Sequence, residues 1–115
     1  MRKVLIIDDN EVNLYLMKEM LNLKNYHVDC ATNGYEGINL FKKKDFDSVL
    51  VDITMPVMNG LEVLKELNKY NKPTKFIAVT ANAFNEQIKK YLDAGFDNVI
   101  VKPIIMNDLF EKVES

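Results

Sequence analysis

Cysteine is almost missing from this chain: Cys30 is the only one in 115 residues. No intrachain disulfide can form and no multi-cysteine metal site can be built, which suits a reducing compartment. A concentrated positive field is also missing. Fifteen basic residues stand against seventeen acidic ones, for a net charge of -2, and the two signs alternate in small groups. The one basic run, Lys42-Lys43-Lys44, is followed at once by Asp45 and Asp47, and reads as a solvated helix end. Nucleic-acid binding leans on clustered positive charge, so no direct contact with nucleic acid is expected. No apolar run approaches the roughly 20 residues that span a bilayer, which argues against membrane insertion. The N-terminus passes from Met1, Arg2 and Lys3 straight into a short apolar segment, without the layout of a secretory leader. A cytoplasmic protein or domain is therefore expected. Internal repeats, low-complexity tracts and linkers are absent too. The single histidine, His27, precedes a strand and reads as surface or edge packing rather than part of a proton or phosphoryl relay.

What remains is an ordinary globular composition, 48% hydrophobic and 28% charged, at a length that fits one domain over residues 1–115 with its own core. Five short apolar segments read as strands: Val4–Ile7, His27–Ala31, Ser48–Val51, Phe76–Val79 and Val99–Val101. Stretches of helical spacing lie between and after them. Glu11–Leu23 aligns Leu14, Met17 and Leu21, and Gly34–Lys43 offers Ile38 and Phe41. Leu61–Tyr70 aligns Leu61, Leu64 and Leu67. Asn85–Ala94 presents Ile88, Tyr91 and Leu92, with Gly95 where a C-terminal cap belongs. The last, Asn107–Val113, offers Leu109, Phe110 and Val113. Strand alternating with helix five times predicts an open α/β fold. Continuous apolar runs such as Val4-Leu5-Ile6-Ile7 predict parallel strands covered on both faces. Met17, Met20, Met55, Met58 and Met106 read as core or edge filler, and Cys30 as a small buried hydrophobe. Phe84, Tyr91 and Ile105 read either as core or as parts of a partner surface.

In such sheets ligands bind beyond the carboxyl ends of the strands, and the polar residues collect there. The first strand ends at Asp8-Asp9, the third at Asp52, the fourth at Thr80 and the fifth at Lys102-Pro103. Three carboxylates, a hydroxyl and an ammonium from four separate segments thus share one edge. Carboxylates held close repel unless a proton or cation intervenes. A hard divalent ion such as Mg²⁺, with Mn²⁺ as a substitute, is the natural one. Asp9 and Asp52 are the expected direct ligands, Asp8 binds directly or through water, and the carbonyl of Thr54 is a backbone candidate. A carboxylate can also attack phosphorus. Asp52, ahead of a turn containing Pro56 and Gly60, is the expected acceptor. Lys102 would neutralise charge on the transferring group and Thr80 would hydrogen-bond to it. Ala81 leaves room beside the acceptor, and Pro103 shapes the turn that aims Lys102, with either peptide isomer open.

These residues resemble the receiver domain of two-component response regulators. The matching segments are KVLIIDDN at 3–10, ATNGYEG at 31–37, LVDITMPVMNG at 50–60, VTANAF at 79–84 and AGFDNVIVKPI at 94–104, and the resemblance extends over essentially the whole chain. The resemblance implies a (βα)5 flavodoxin-like fold with strand order 2-1-3-4-5, Asp52 as phosphoacceptor, Asp8 and Asp9 as Mg²⁺ ligands, and Thr80 and Lys102 as readers of the phosphoryl group. It further implies slow autodephosphorylation, no classical turnover chemistry, and a histidine kinase or histidine phosphotransfer protein as donor. The TANAF segment and the DDNEVN opening look more like receivers of hybrid kinases and phosphorelays than like those fused to DNA-binding domains. One position departs from the pattern. Three residues before Lys102 such domains usually carry Tyr or Phe as a rotameric switch, and this chain has Val99. Valine cannot swing as a ring does, so the expectation is that Thr80 and its loop still move while the readout on the Asn85–Val101 face is weaker or made differently. Two other readings are a pseudo-receiver that binds partners without phosphorylation and a small-molecule phosphohydrolase. The intact set Asp8, Asp9, Asp52, Thr80 and Lys102 argues against the first. Thr54, where a hydrolase would need a second carboxylate, argues against the second.

Overall fold

The computed structural model describes residues 2–115. Ten elements alternate without exception: β1 (Lys3–Ile7), α1 (Glu11–Asn22), β2 (His27–Ala31), α2 (Gly34–Lys43), β3 (Ser48–Asp52), α3 (Gly60–Asn68), β4 (Lys75–Thr80), α4 (Asn85–Ala94), β5 (Asn98–Val101) and α5 (Met106–Glu114). The strands form one parallel sheet in the order β2-β1-β3-β4-β5. All five expected strands and all five helices are present; β2, α2 and α4 have the expected ends, and the others differ from the sequence reading by at most two residues.

The apolar runs are continuous because both sheet faces are covered. Leu5, Ile7, Val49, Val51 and Ala78 point into one core, which α2, α3 and α4 close with Phe41, Val63, Leu64, Leu67 and Tyr91. Val4, Ile6, Leu50, Ile77 and Val79 point into the other, closed by Leu14, Met17 and Leu21 of α1 and by Leu109, Phe110 and Val113 of α5. Adjacent strand residues thus serve opposite layers, as the two-residue period requires. Each fully buried Leu or Ile contributes about 1.5–3 kcal/mol relative to exposure.

The first three helices begin on an asparagine whose side-chain oxygen accepts a backbone N–H. Asn13 donates to Asn10 at 3.0 Å, Glu36 to Asn33 at 2.8 Å and Glu62 to Asn59 at 3.0 Å. Glu62 reaches back to the Asn59 N–H at 3.1 Å, completing a capping box. Neither α4, starting after Phe84, nor α5, starting after Ile105, has such a side-chain cap. Gly95 ends α4 with φ of +119°, the left-handed geometry that favours glycine. The Lys102–Pro103 bond is cis.

Several side chains resolve the open readings of the sequence. Tyr91 is buried, whereas Phe84 and Ile105 are exposed. Met17 and Met55 are buried, Met20 and Met58 half-buried, and Met106 exposed at the start of α5. Cys30 is half-buried rather than enclosed because β2 is an edge strand, and burial raises its thiol pKa. His27 lies on the same edge, exposed, 3.3 Å from Asp29. No helix among the described residues is long and apolar enough to cross a membrane.

Candidate acidic phosphoryl site

Four strands deliver the site residues to one edge of the sheet. Asp8 and Asp9 follow β1, Asp52 ends β3, Thr80 ends β4 and Lys102 follows β5. The parallel register sets them side by side: Ile7 is level with Val51, Asp52 with Val79, and Thr80 with Val101. Further backbone bonds tie the edge together. Asp8 N–H donates to Ala31 at 3.1 Å, Ile53 N–H to Val79 at 3.0 Å and Lys102 N–H to Thr80 at 2.8 Å.

Asp8, Asp9 and Asp52 each place one carboxylate oxygen within 4.8 Å of the others. Asp8 is fully buried, Asp52 is 4% exposed, and Asp9 stands in solvent. One oxygen of Asp8 accepts the Asn10 N–H at 2.9 Å. The other, Oδ2, is buried and has no hydrogen-bond partner among the described residues, an expensive arrangement for a carboxylate. Oδ1 of Asp52 accepts the Thr54 N–H at 3.3 Å and lies 3.4 Å from the Lys102 Nζ. Burial, and next the negative charge of Asp8, push the Asp52 carboxyl up to about 6, although Lys102 and the Thr54 N–H pull the other way. One ammonium, that of Lys102, faces three carboxylates in this corner.

The donor set fits a hard divalent cation. All three groups are carboxylates and they converge, and one of them carries a buried oxygen without a partner, which suits Mg²⁺ or Mn²⁺ and excludes soft metals. The turn behind Asp52 is held by close backbone contact. A Cβ on Gly60 would lie 2.7 Å from the Asp52 carbonyl oxygen and 2.8 Å from the Ile53 Cα, so only glycine lets α3 start this near the end of β3. Between them the loop passes through Val57 at φ of +69°, an uncommon conformation for a β-branched residue, with the side chain 86% exposed.

Thr80 is 2% exposed, and its Oγ1 accepts the Asn82 N–H at 3.0 Å. Beside it opens a hollow of about 540 Å³ whose walls include Thr54, Ala81, Asn82, Phe84 and Tyr91. Ala81 lines this hollow and Asp52 does not. Val99 is half-buried against the core and lines a separate hollow with Ile88, Leu92 and Lys112. The sequence reading did not single out Asn82 or the asparagine caps. The caps had a signal, since Asn33 and Asn59 each precede a glutamate by three residues.

A doubly wound α/β sheet with convergent carboxylates and a lysine at its carboxyl edge defines a class of proteins that handle phosphoryl groups with a divalent ion. The chain belongs to the response regulator receiver domain family, whose model matches residues 4–114. It is 34% identical over 102 residues to the chemotaxis protein CheY of Halobacterium salinarum, covering 89% of this chain and 85% of that protein. It is 38% identical over 114 residues to hybrid signal transduction histidine kinase G of Dictyostelium discoideum, covering 93% of this chain but only 3% of that protein. Another relative, a probable histidine kinase 1 of Oryza sativa subsp. indica, is likewise matched over 15% of its length. Among solved structures, the response regulator protein TrrA of Thermotoga maritima, in complex with Mg²⁺ and BeF, superposes with a TM-score of 0.87 at 35% identity, covering 99% of this chain and 97% of that one. A CheY-like receiver domain of Methanospirillum hungatei superposes with a TM-score of 0.90 at 34% identity, with 99% and 91% covered.

Proposed function

We propose that this domain is a phosphorylation-controlled signalling switch in which Asp52 accepts a phosphoryl group from a phosphohistidine on another protein. The observation that carries this reading is the convergence of Asp8, Asp9 and Asp52 within 4.8 Å, with a buried unpartnered oxygen on Asp8 and with Lys102 alongside. Asp8, Asp9 and Asp52, with the Thr54 carbonyl, would hold Mg²⁺ or Mn²⁺. The ion supplies charge neutralisation at the oxygens of the transferring group.

This chain's own residues do the rest. Asp52 is fixed at a strand end and, as a carboxylate above pH about 6, presents a nucleophile at the sheet edge. In the transfer an O–P bond forms at Asp52, the P–N bond of the donor breaks, and the leaving imidazole takes up a proton. Lys102 withdraws from its ion pair with Asp52 to the new, more negative acceptor. The phosphorylated side chain carries about 1.5 to 2 negative charges, and the Thr80 hydroxyl donates to one of its oxygens. Reversal of the signal is slow hydrolysis of the acyl phosphate at the same carboxyl.

The donor we infer is a histidine kinase or a histidine phosphotransfer protein. Likeness to parts of hybrid signal transduction histidine kinases supports it. A cytoplasmic setting accords with the single free cysteine. Intact-mass measurement with acetyl phosphate and Mg²⁺ tests the reading. A gain of one phosphoryl group, absent with EDTA and absent in Asp52→Asn, is expected. Unchanged labelling of the variant would move the acceptor elsewhere.

A further inference from the structure

Helix α4 differs from its neighbours in how it is held. It has no side-chain cap at its N-terminus, and of its ten residues only Tyr91 is buried, at 5% exposure. The other four helices each bury three or four residues. One aromatic side chain therefore carries most of the packing of α4 against the body of the domain, and aromatic rings of this kind dominate such contacts.

The ring sits beside the phosphoryl site. Tyr91 lines the hollow next to Thr80 and Ala81, and also a second one of about 290 Å³ with Met55 and Leu61. Only Thr54 shares both hollows with it. Tyr91 thus stands between the loop that follows the acceptor Asp52 and the loop that follows Thr80. Thr80 is linked through its Oγ1 to Asn82, and that loop runs through Ala83 to Phe84, the start of α4. Any displacement of Thr80 alters the space on one side of the Tyr91 ring, and the open volume there gives the ring somewhere to go. On the opposite flank of α4, Val99 offers only a short side chain to the hollow formed with Ile88 and Leu92. No ring from β5 is available to carry such a displacement.

We propose that Tyr91 is the positioning residue through which the state of Asp52 reaches α4: its ring repacks between the Thr54 and Thr80 loops and takes the helix with it. The proposal rests on the phosphoryl-acceptor reading of Asp52. By reciprocity the packing of the Tyr91 ring then influences the affinity of the site.

Hydrogen exchange read by mass spectrometry, with Mg²⁺ and beryllium fluoride as the probe, tests it. In the wild type, peptides covering 84–95 should change exchange several-fold on adding the probe. In Tyr91→Leu that difference should vanish, while the probe still binds and the ends of β1 and β3 are still protected. Tyr91→Phe should retain the difference because the ring is kept. Leu92→Ala, on the exposed side of the same helix, should retain it too. A purely structural Tyr91 would raise α4 exchange equally with and without the probe and leave the difference standing, which overturns the proposal. Loss of the difference in Tyr91→Phe, with α4 still folded, overturns it as well. If Tyr91→Leu melts α4 in the free protein, Tyr91→Met supplies the volume without the ring and the same comparison applies. Failure of the probe to bind the wild type would defeat the acceptor reading itself, and this proposal with it.

Discussion

The Lys102 ammonium stands 3.4 Å from Oδ1 of Asp52, yet it does not bring that carboxyl down to the ordinary range. Burial and the charge of Asp8 outweigh it and leave Asp52 at about 6. The free site is therefore electrostatically unfinished, with one cation facing three carboxylates. Removing that cation should matter most when charge increases. Lys102→Ala should lower the rate of phosphorylation by acetyl phosphate on the order of 100-fold, the scale for losing a positioned donor to a developing anion. Lys102→Arg should recover little, since the planar fork cannot occupy the place of a compact ammonium. Quenched-flow labelling checks this. A loss under threefold in Lys102→Ala would remove the lysine from the reaction.

Stability without metal should depend on pH in a definite direction. The folded Asp52 takes up its proton near pH 6, the unfolded one near pH 3.9. Between these values the native state binds more protons, so stability falls as pH rises through the window and the penalty is complete above it. Asp52→Asn has no such penalty. In EDTA it should exceed the wild type on the order of 2 kcal/mol at pH 7.5, with the gap closing toward pH 4. Urea titrations at both pH values decide it. A gap that widened on acidification would reverse the sign of the electrostatics described above.

Metal binding should follow the same carboxyl from the other side. Because the ligands must be ionised, Mg²⁺ affinity should fall about tenfold per pH unit below about 6 and level off above it. Asp9 is exposed and bears none of the burial cost. Asp9→Asn should therefore weaken Mg²⁺ at least tenfold while changing metal-free stability by under about 0.5 kcal/mol. Asp8→Asn should weaken Mg²⁺ and also stabilise the metal-free protein by relieving repulsion on Asp52. Calorimetric titration and thermal melts separate the two. Equal effects of both substitutions on stability would mean that burial does not distinguish the two aspartates.

The fold was legible because the chemistry of a parallel sheet is written in its strands. Val4-Leu5-Ile6-Ile7 has no polar alternation, since alternate residues face two different cores. The edge residues Asp8, Asp9, Asp52, Thr80 and Lys102 were legible because each follows directly on such a run. The sequence was silent on how strongly each is buried. Asp8 and Asp9 are neighbours in the chain, yet one is enclosed and the other solvated, and Asp8 follows a strand that lies between β2 and β3 in the sheet. Tyr91 was ambiguous for a similar reason. On α4, with Ile88 and Leu92 nearby, any of three residues fitted an inward stripe, and only the position of the Asp52 loop selects Tyr91. The cis isomer at Lys102–Pro103 depends on the turn around it and could not be read from the dipeptide.

Gly60 should be intolerant of even one added carbon. A Cβ there would meet the Asp52 carbonyl at 2.7 Å and the Ile53 Cα at 2.8 Å, both backbone, so neither can yield by a rotamer change. Gly60→Ala should cost about 1–3 kcal/mol, the range for overpacking. Because the clash falls on the acceptor's own peptide, phosphorylation should slow more than stability alone explains. Asn59→Ala is the control. It removes the cap, costs about 1 kcal/mol, and should leave the labelling rate within a factor of two. Equal slowing in both variants would show that the start of α3 acts only through global stability.

Val99 gives the sharpest contrast between neighbours. It is half-buried and opens onto a hollow of about 340 Å³ beside Ile88 and Leu92, whereas Ile100, the next residue, is fully enclosed. A larger side chain at 99 has somewhere to go, and one at 100 does not. Val99→Phe should change unfolding free energy by under about 1 kcal/mol, while Ile100→Phe should cost about 1–3 kcal/mol or more. The comparison is internal, since both positions lie on one strand and share its propensity. If Val99→Phe proved as costly as Ile100→Phe, the space between α4 and α5 would have to be closed in solution. The valine would then be a packing requirement of this chain rather than a place where a ring is simply missing.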